Sequence, residues 1–234
     1  MSDFKRGIHD GIPIALGYIS VSFTFGLQAV SSGLKWWEAL LISLTNLTSA
    51  GQFAGLGIIC SGAGFWLEMA CTQFIINLRY SLMSVSLSQK TDKSVSGIHR
   101  WIAGFGITDE IFAVAMGHFK KVSRMYLYGL ILLPMAGWSF GTFLGAFAGE
   151  ILPEIIRSAL SIAIYGMFIA IIIPPAKKNS AVLKVIVIAG AVSCILKWTP
   201  VLNKISSGFA IIISTIIASV IGAVLFPIKE EAEQ

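Results

Sequence analysis

Apolar segments of about twenty residues recur along the whole chain, with short polar stretches between them. An α-helix rises about 1.5 Å per residue, so such a segment matches the ~30 Å hydrocarbon core of a bilayer. Only 12% of the 234 residues are charged, which is too few to cover a water-facing surface in the usual way. A transmembrane β-barrel would instead show short strands of alternating hydrophobicity. The sequence therefore predicts an all-α, polytopic integral membrane protein, folded as a helical bundle.

We predict about eight transmembrane helices in one domain that covers residues 1–234. The first half, residues 1–124, carries the polar motifs, whereas residues 125–234 show only a hydrophobic helical pattern. The predicted spans, in chain order, are residues 12–30, 39–59, 65–87, 101–119, 125–148, 158–173, 182–198 and 206–226.

Basic residues between the spans indicate the orientation. Eight crossings put both termini and the basic loops around Lys120 and Lys177 on the cytoplasmic side, as the positive-inside rule favours. The loop that carries Lys90, Lys93 and Arg100 would then lie outside, against that rule. One element among the second, third and fourth spans could instead be re-entrant, which would leave seven crossings.

The middle of the second predicted span is rich in small and polar residues. Unwound backbone at membrane depth is tolerated where protein or a water-filled cavity covers it. We expect this helix to be broken near Thr48 to Gly51, where amides at the start of a half-helix could bind a carboxylate. The alternative is that the glycines only permit close helix packing. The candidate site residues here are Thr48, Ser49, Gly51 and Gln52.

An arginine in the third predicted span is the strongest sign of a polar site. Placing Arg79 at the centre of a span costs at least about 2.5–3.5 kcal/mol, so it should face a cavity, an acidic partner or an aqueous path. The fourth span offers Asp109 and Glu110 as partners, and Asn77 precedes Arg79 by two residues. Because neighbours on a helix point about 100° apart, we expect only one of the two carboxylates to face the site. The alternative is a structural ion pair between two helices.

Nothing in the sequence indicates an enzyme, a cofactor or a metal site. Nucleotide-binding and zinc-protease motifs are absent, and the three cysteines and three histidines are scattered. The net charge of +5 comes from basic residues in short loops, which indicates contact with lipid headgroups and not with nucleic acid. Glu68, near the start of the third span, is expected to have a structural role.

Several short motifs in the first half of the chain together resemble the AzlC-like family of branched-chain amino acid permeases. No single motif is specific, but their order and spacing are. The chain departs from the family pattern at Tyr80, where a histidine is common, which weakens any proton relay there. It also has Ile19-Ser20 where a proline is common. The motifs are Gly11-Ile12-Pro13-Ile14, Gly17-Tyr18, Phe25-Gly26, Glu38-Ala39, Ser49-Ala50-Gly51-Gln52-Phe53, Asn77-Leu78-Arg79 and Thr108-Asp109-Glu110-Ile111-Phe112-Ala113.

The resemblance implies a transporter domain that exports branched-chain amino acids, and in some members methionine, across a bacterial inner membrane. An ion or substrate gradient would drive it, and a small hydrophobic AzlD-like subunit would be its partner. Arg79 or the helix break would hold the substrate carboxylate, while Asp109 or Glu110 would receive the ammonium group or couple a proton. A passive channel for small solutes and a structural membrane subunit are the alternatives. The candidates for an apolar side-chain pocket are Phe25, Phe53 and Phe112.

Overall fold

The regular secondary structure of the described residues is helical, apart from one isolated β-bridge between Thr91 and Val122. The structure is a computed structural model that describes residues 2–61, 66–153, 155, 169 and 172–227. It confirms the predicted all-α class. The helices are α1 (Asp3–Ser31), α2 (Trp36–Thr45), α3 (Ala50–Cys60), α4 (Trp66–Lys90), α5 (Ile98–Phe105), α6 (Asp109–Gly117), α7 (Arg124–Ile151), α8 (Ser180–Trp198) and α9 (Ser207–Leu225), with a 3-10 turn at Leu202–Lys204 and a further helical stretch over residues 172–178.

Four of these helices combine the length and the hydropathy needed to cross a membrane. They are α1, α7 over Arg124–Gly149, α8 and α9, in the first, fifth, seventh and eighth predicted spans. Helix α1 begins at Asp3 and not at residue 12, because a charged first turn precedes its apolar part and hydropathy marks only the latter. Pro13 therefore lies inside the helix. The sixth predicted span, residues 158–173, falls almost wholly outside the described residues.

The second and fourth predicted spans are each divided into two short helices. Helix α2 ends at Thr45 and α3 begins at Ala50, which confirms the break predicted near Thr48. The prediction of one continuous helix over residues 101–119 is wrong, because α5 ends at Phe105 and α6 begins at Asp109. The third span is a single helix, α4, which continues to Lys90, three residues beyond the predicted end at residue 87.

Helices α1 and α7 pack against each other along a stripe of glycines with four-residue spacing. A Cβ at Gly137 would lie 2.8 Å from the carbonyl oxygen of Ala15, and one at Gly145 would lie 1.9 Å from that of Phe23. Gly141 lies between them and meets the backbone of α1 in the same way. Since only glycine permits this approach, the stripe places the two backbones in direct contact. The contacts advance together along both helices, so α1 and α7 run parallel.

The parallel packing limits the number of crossings. Two parallel spans need an odd number of crossings between them, because the chain must return to the side from which the first one started. The eight-span prediction has three crossings between α1 and α7 and satisfies this requirement. The seven-span alternative, with one re-entrant element among the second to fourth spans, leaves two and does not fit.

The chain divides into two compact units. One consists of Met1–Leu56 and Ile76–Ile164, and the other of Gly57–Ile75 and Tyr165–Gln234. In the second unit α8 and α9 form an antiparallel pair. The hydroxyls of Ser193 and Ser214 lie 3.0 Å apart, and a Cβ at Gly222 would lie 2.8 Å from Val185.

Candidate functional site

Arg79 on α4 forms an ion pair with Asp109, the first residue of α6. The distance from Nη1 of Arg79 to Oδ2 of Asp109 is 2.8 Å, and the two side chains are 45% and 41% exposed. The other terminal nitrogen of Arg79 donates to the hydroxyl of Tyr80 over 3.2 Å, and the guanidinium lies 5.0 Å from the Tyr80 ring centroid. The structure therefore brings together the arginine and one of the two carboxylates that the sequence offered.

Glu110, the other carboxylate, belongs to a hydrogen-bond network with α1. The hydroxyl of Tyr18 lies 2.6 Å from Oε2 of Glu110 and 2.5 Å from Oγ1 of Thr108. Tyr18 is buried, and its ring packs edge-on against Trp138 of α7 at a centroid distance of 5.2 Å. The two neighbouring carboxylates thus have different partners, as their angular separation on a helix requires.

The break between α5 and α6 places both carboxylates at the start of a helix. Thr108 is the N-cap of α6, and its side chain accepts from the backbone N–H of Ile111 at 3.4 Å. The positive end of the helix dipole stabilises carboxylates in the first turn. Just before the cap, a Cβ at Gly106 would lie 2.4 Å from the side chain of Ile131, so a larger residue would not fit there. Hydrophobicity alone did not reveal this break, although Gly106 and Thr108 are residues favoured at helix ends.

The break between α2 and α3 is stabilised by its own polar groups. Oδ1 of Asn46 accepts from the backbone N–H of Thr48 at 3.1 Å and from its hydroxyl at 2.7 Å. Ser49 has a φ of 45°, in the left-handed region that side chains other than glycine rarely adopt. The first turn of α3 then closes, with the N–H of Gly51 donating to the carbonyl of Thr48 and that of Phe53 to Ser49.

Gln52, a predicted site residue at this break, is buried and links three helices. Its Nε2 donates to the hydroxyl of Ser43 on α2 at 3.0 Å, and that hydroxyl lies 2.7 Å from Oγ1 of Thr142 on α7. All three side chains are buried. This part of the break therefore fastens α3 to α2 and α7.

The three candidate pocket phenylalanines do not form one cluster. Phe25 and Phe53 pack edge-on at 5.5 Å in a cluster with Ala29, Ala39 and Leu56. Phe112 packs instead against the larger cluster that contains Tyr18, Ile111 and Trp138. Because Phe112 follows Asp109 by three residues on α6, both side chains lie on the same side of that helix.

Asn77 is half-buried on α4. It lies two positions before Arg79, so their side chains leave the helix about 200° apart. The two residues therefore belong to different faces of α4.

Two features of the structure were not predicted from the sequence. One is an apolar cavity of about 190 Å³ in the first unit, lined by Leu87, Val95, Ala103, Ile107 and Leu127 among others. The other is Glu68 in the second unit, which is only 1% exposed and lines a cavity of about 490 Å³. The sequence signal for Glu68 was an acidic residue inside an apolar helix, followed four residues later by Thr72.

The first-unit site can bind one cationic and one anionic group at the same time. Arg79 offers a planar set of N–H donors that suits a carboxylate, and Asp109 offers oxygens that suit an ammonium group. Both side chains are partly exposed, so the ion pair is not part of the buried core.

Comparisons with known proteins agree with this membrane architecture. Residues 13–152 match the family described as AzlC protein. The chain is 26% identical to inner membrane protein YgaZ of Escherichia coli K12, over 81% of this chain and 80% of that protein. An uncharacterized membrane protein of Archaeoglobus fulgidus is 33% identical, over 74% of this chain and 76% of its own length. One from Helicobacter pylori 26695 is 24% identical, over 64% and 68%. No solved structure matches the chain.

Together, the helices and these matches show a multi-pass membrane protein with a role related to membrane transport.

Proposed function

The chain belongs to the AzlC family, and we propose that it exports the branched-chain amino acids valine, leucine and isoleucine, with methionine as a further candidate, across the bacterial inner membrane. An ion or substrate gradient drives this export. The observation that carries the proposal is the accessible ion pair between Arg79 and Asp109 at the start of a half-helix.

The ion pair is complementary to the backbone of an amino acid. A zwitterion can exchange partners with it, its carboxylate binding Arg79 and its ammonium group binding Asp109, so that each charge stays paired throughout. Unpaired charge in the membrane is costly, so an exchange of this kind avoids the main electrostatic penalty of moving the substrate. The second contact of Arg79, to the Tyr80 hydroxyl, holds the guanidinium in place during the exchange.

The apolar substrate side chain packs beside the ion pair, and Phe112 is the best-placed candidate to receive it. It lies one turn after Asp109 and is partly buried against the cluster around Tyr18. Phe25 and Phe53 belong to the other cluster and stabilise the packing of α3 against α1. A pocket of aliphatic and aromatic side chains favours Val, Leu and Ile over polar amino acids.

The remaining parts of the proposal concern the setting of the transporter. The protein lies in the inner membrane with both termini in the cytoplasm. A small AzlD-like hydrophobic subunit completes it. The ends and loops of the transporter chain contact anionic lipid headgroups through their basic residues.

Counterflow tests the transport activity directly. Purified full-length protein, alone and with any small subunit that co-purifies, is placed in liposomes loaded with valine, and uptake of radiolabelled leucine is followed with and without an imposed proton gradient. We expect saturable uptake above that of protein-free liposomes, with competition by isoleucine. Uptake that does not saturate would favour the passive channel instead.

Variants of the ion pair test the site. We expect Arg79→Lys to insert normally but to lose most transport, because lysine cannot present the planar fork to a carboxylate. The matched control is Arg6→Lys, at an exposed arginine near the start of α1, which should transport like the wild type. Full transport by Arg79→Lys would refute the carboxylate role. A folded double variant, Arg79→Met with Asp109→Leu, that keeps its phenotype would support the structural alternative.

A further inference from the structure

A buried carboxylate in the second unit has one oxygen without a partner. Glu68 on α4 is 1% exposed, and its Oε1 accepts from the backbone N–H of Gly208 at 2.8 Å, in the first turn of α9. Its Oε2 is buried and accepts no hydrogen bond. A buried carboxylate normally has its acceptor positions satisfied, so Oε2 is a position at which a ligand could bind.

Two hydroxyl oxygens next to Glu68 are also buried and without a hydrogen-bond partner. They are Oγ1 of Thr72, one helical turn after Glu68, and Oγ of Ser206, the N-cap of α9. A Cβ at Gly208 would lie 2.5 Å from Oε1 of Glu68, 2.7 Å from its Cγ and 2.7 Å from Oγ1 of Thr72, so the glycine lets both side chains pack against the first turn of α9. Ser206 lines a cavity together with Glu68, so the three unpartnered oxygens come from neighbouring side chains.

The surrounding charges determine which cation fits. Glu68 supplies one negative charge, and Lys204, an exposed residue, lines the same cavity of about 490 Å³. A divalent ion would leave an uncompensated positive charge beside Lys204. Carboxylate and hydroxyl oxygens are hard ligands that suit alkali and alkaline-earth cations better than transition metals. The described residues contain no group of three or more histidine, cysteine or acidic side chains that could hold a metal ion, so a cation here would rely on one carboxylate and on hydroxyl oxygens.

We propose that Glu68, Thr72 and Ser206 form a binding site for a monovalent cation, with Na⁺ as the ion of suitable size and hardness. Oε2 of Glu68 and the two hydroxyl oxygens are its side-chain ligands, while the N–H of Gly208 keeps the carboxylate oriented. The site lies at the start of α9, so binding the ion would fix that helix end against α4. If the proposed transport function is correct, this cation is a candidate for the coupling ion.

Thermal unfolding tests the binding without relying on transport. Purified full-length protein in detergent is unfolded in choline chloride that is replaced stepwise by NaCl at constant ionic strength. A ligand that binds only the folded state raises the unfolding midpoint with concentration. We expect a saturable rise for the wild type and none for Glu68→Gln. Thr72→Val, which keeps the shape of the side chain and should fold, is expected to need about tenfold more Na⁺ for the same rise.

The matched control is Thr215→Val, at an exposed threonine on α9, which should respond to Na⁺ like the wild type. An equal Na⁺ response in the wild type and Thr72→Val would overturn the proposal, as would no response in the wild type. Stabilisation by lower pH alone would overturn it in favour of a proton held by Glu68. A positive result together with failed leucine counterflow would retain the cation site and reject the transport proposal, so the two failures can be told apart.

Discussion

Replacing Gly145 with alanine tests the close packing of α1 against α7. The new Cβ would lie 1.9 Å from the carbonyl oxygen of Phe23, 2.6 Å from its carbonyl carbon and 2.9 Å from its Cα. All three are backbone atoms, so no side-chain rotation can relieve the contact. An ordinary contact requires at least 3.4 Å, so the helices must separate locally by about 1.5 Å.

The expected cost follows from this displacement. Overpacking of a filled interior costs about 1–3 kcal/mol, and a gap of even 0.5–1 Å already loses about a quarter to a half of the dispersion energy of the separated atoms. Alanine is favoured over glycine in a helix by about 0.5–1 kcal/mol, which offsets part of that cost. We therefore expect Gly145→Ala to lower the free energy of unfolding by about 1–2 kcal/mol.

The measurement is the unfolding midpoint of the purified protein in detergent. For a chain of this length, about 1 kcal/mol corresponds to about 2–4 °C, so the midpoint should fall by about 2–8 °C. The control is Gly17→Ala on α1, where a Cβ would meet nothing within 4 Å and the midpoint should stay level or rise. A midpoint for Gly145→Ala equal to or above that of the wild type would refute the reasoning.

Two further predictions concern the buried polar network and the topology. Ser43→Ala should lower the free energy of unfolding by about 1–3 kcal/mol, because it removes the acceptor of the buried Gln52 amide and the partner of the Thr142 hydroxyl; unchanged stability in the same thermal assay would contradict this. After replacement of the three native cysteines, new cysteines are placed at Ser2 and Phe119, which precede α1 and α7. Both should react with an impermeant thiol reagent from the same side of the membrane. Labelling from opposite sides would exclude the parallel arrangement.

Much of the fold could be predicted because hydrophobic length and glycine spacing are local properties of the sequence. The break near Thr48 was foreseeable for the same reason, since small and polar residues are concentrated there. The four-residue spacing of the glycines at 137, 141 and 145 is typical of close helix packing, and the structure shows which helix they meet. The break before Asp109 was not foreseen, because hydrophobicity alone does not mark it and only the helix-end residues Gly106 and Thr108 indicate it locally.

The candidate site was predictable in its residue types but not in its pairings. A charged residue in an apolar segment requires a partner wherever it lies, so Arg79 and the acidic pair after Thr108 were identifiable by composition and position. The angle at which α6 starts determines which carboxylate binds Arg79, and it places Glu110 next to Tyr18 instead. Glu68 was assigned a structural role because it lies near the start of its span, and Ser206, which lines the same cavity, lies far along the chain.

The sequence by itself determined that this is a membrane protein of the helical class, since both follow from hydrophobicity summed over single segments. It also predicted a costly arginine within one of the spans. The tertiary structure decided that α1 and α7 run parallel, that Asp109 and not Glu110 pairs with Arg79, and that Glu68 and Ser206 line one cavity. These outcomes depend on distances of a few ångströms between residues far apart in the chain, which hydrophobic periodicity does not encode.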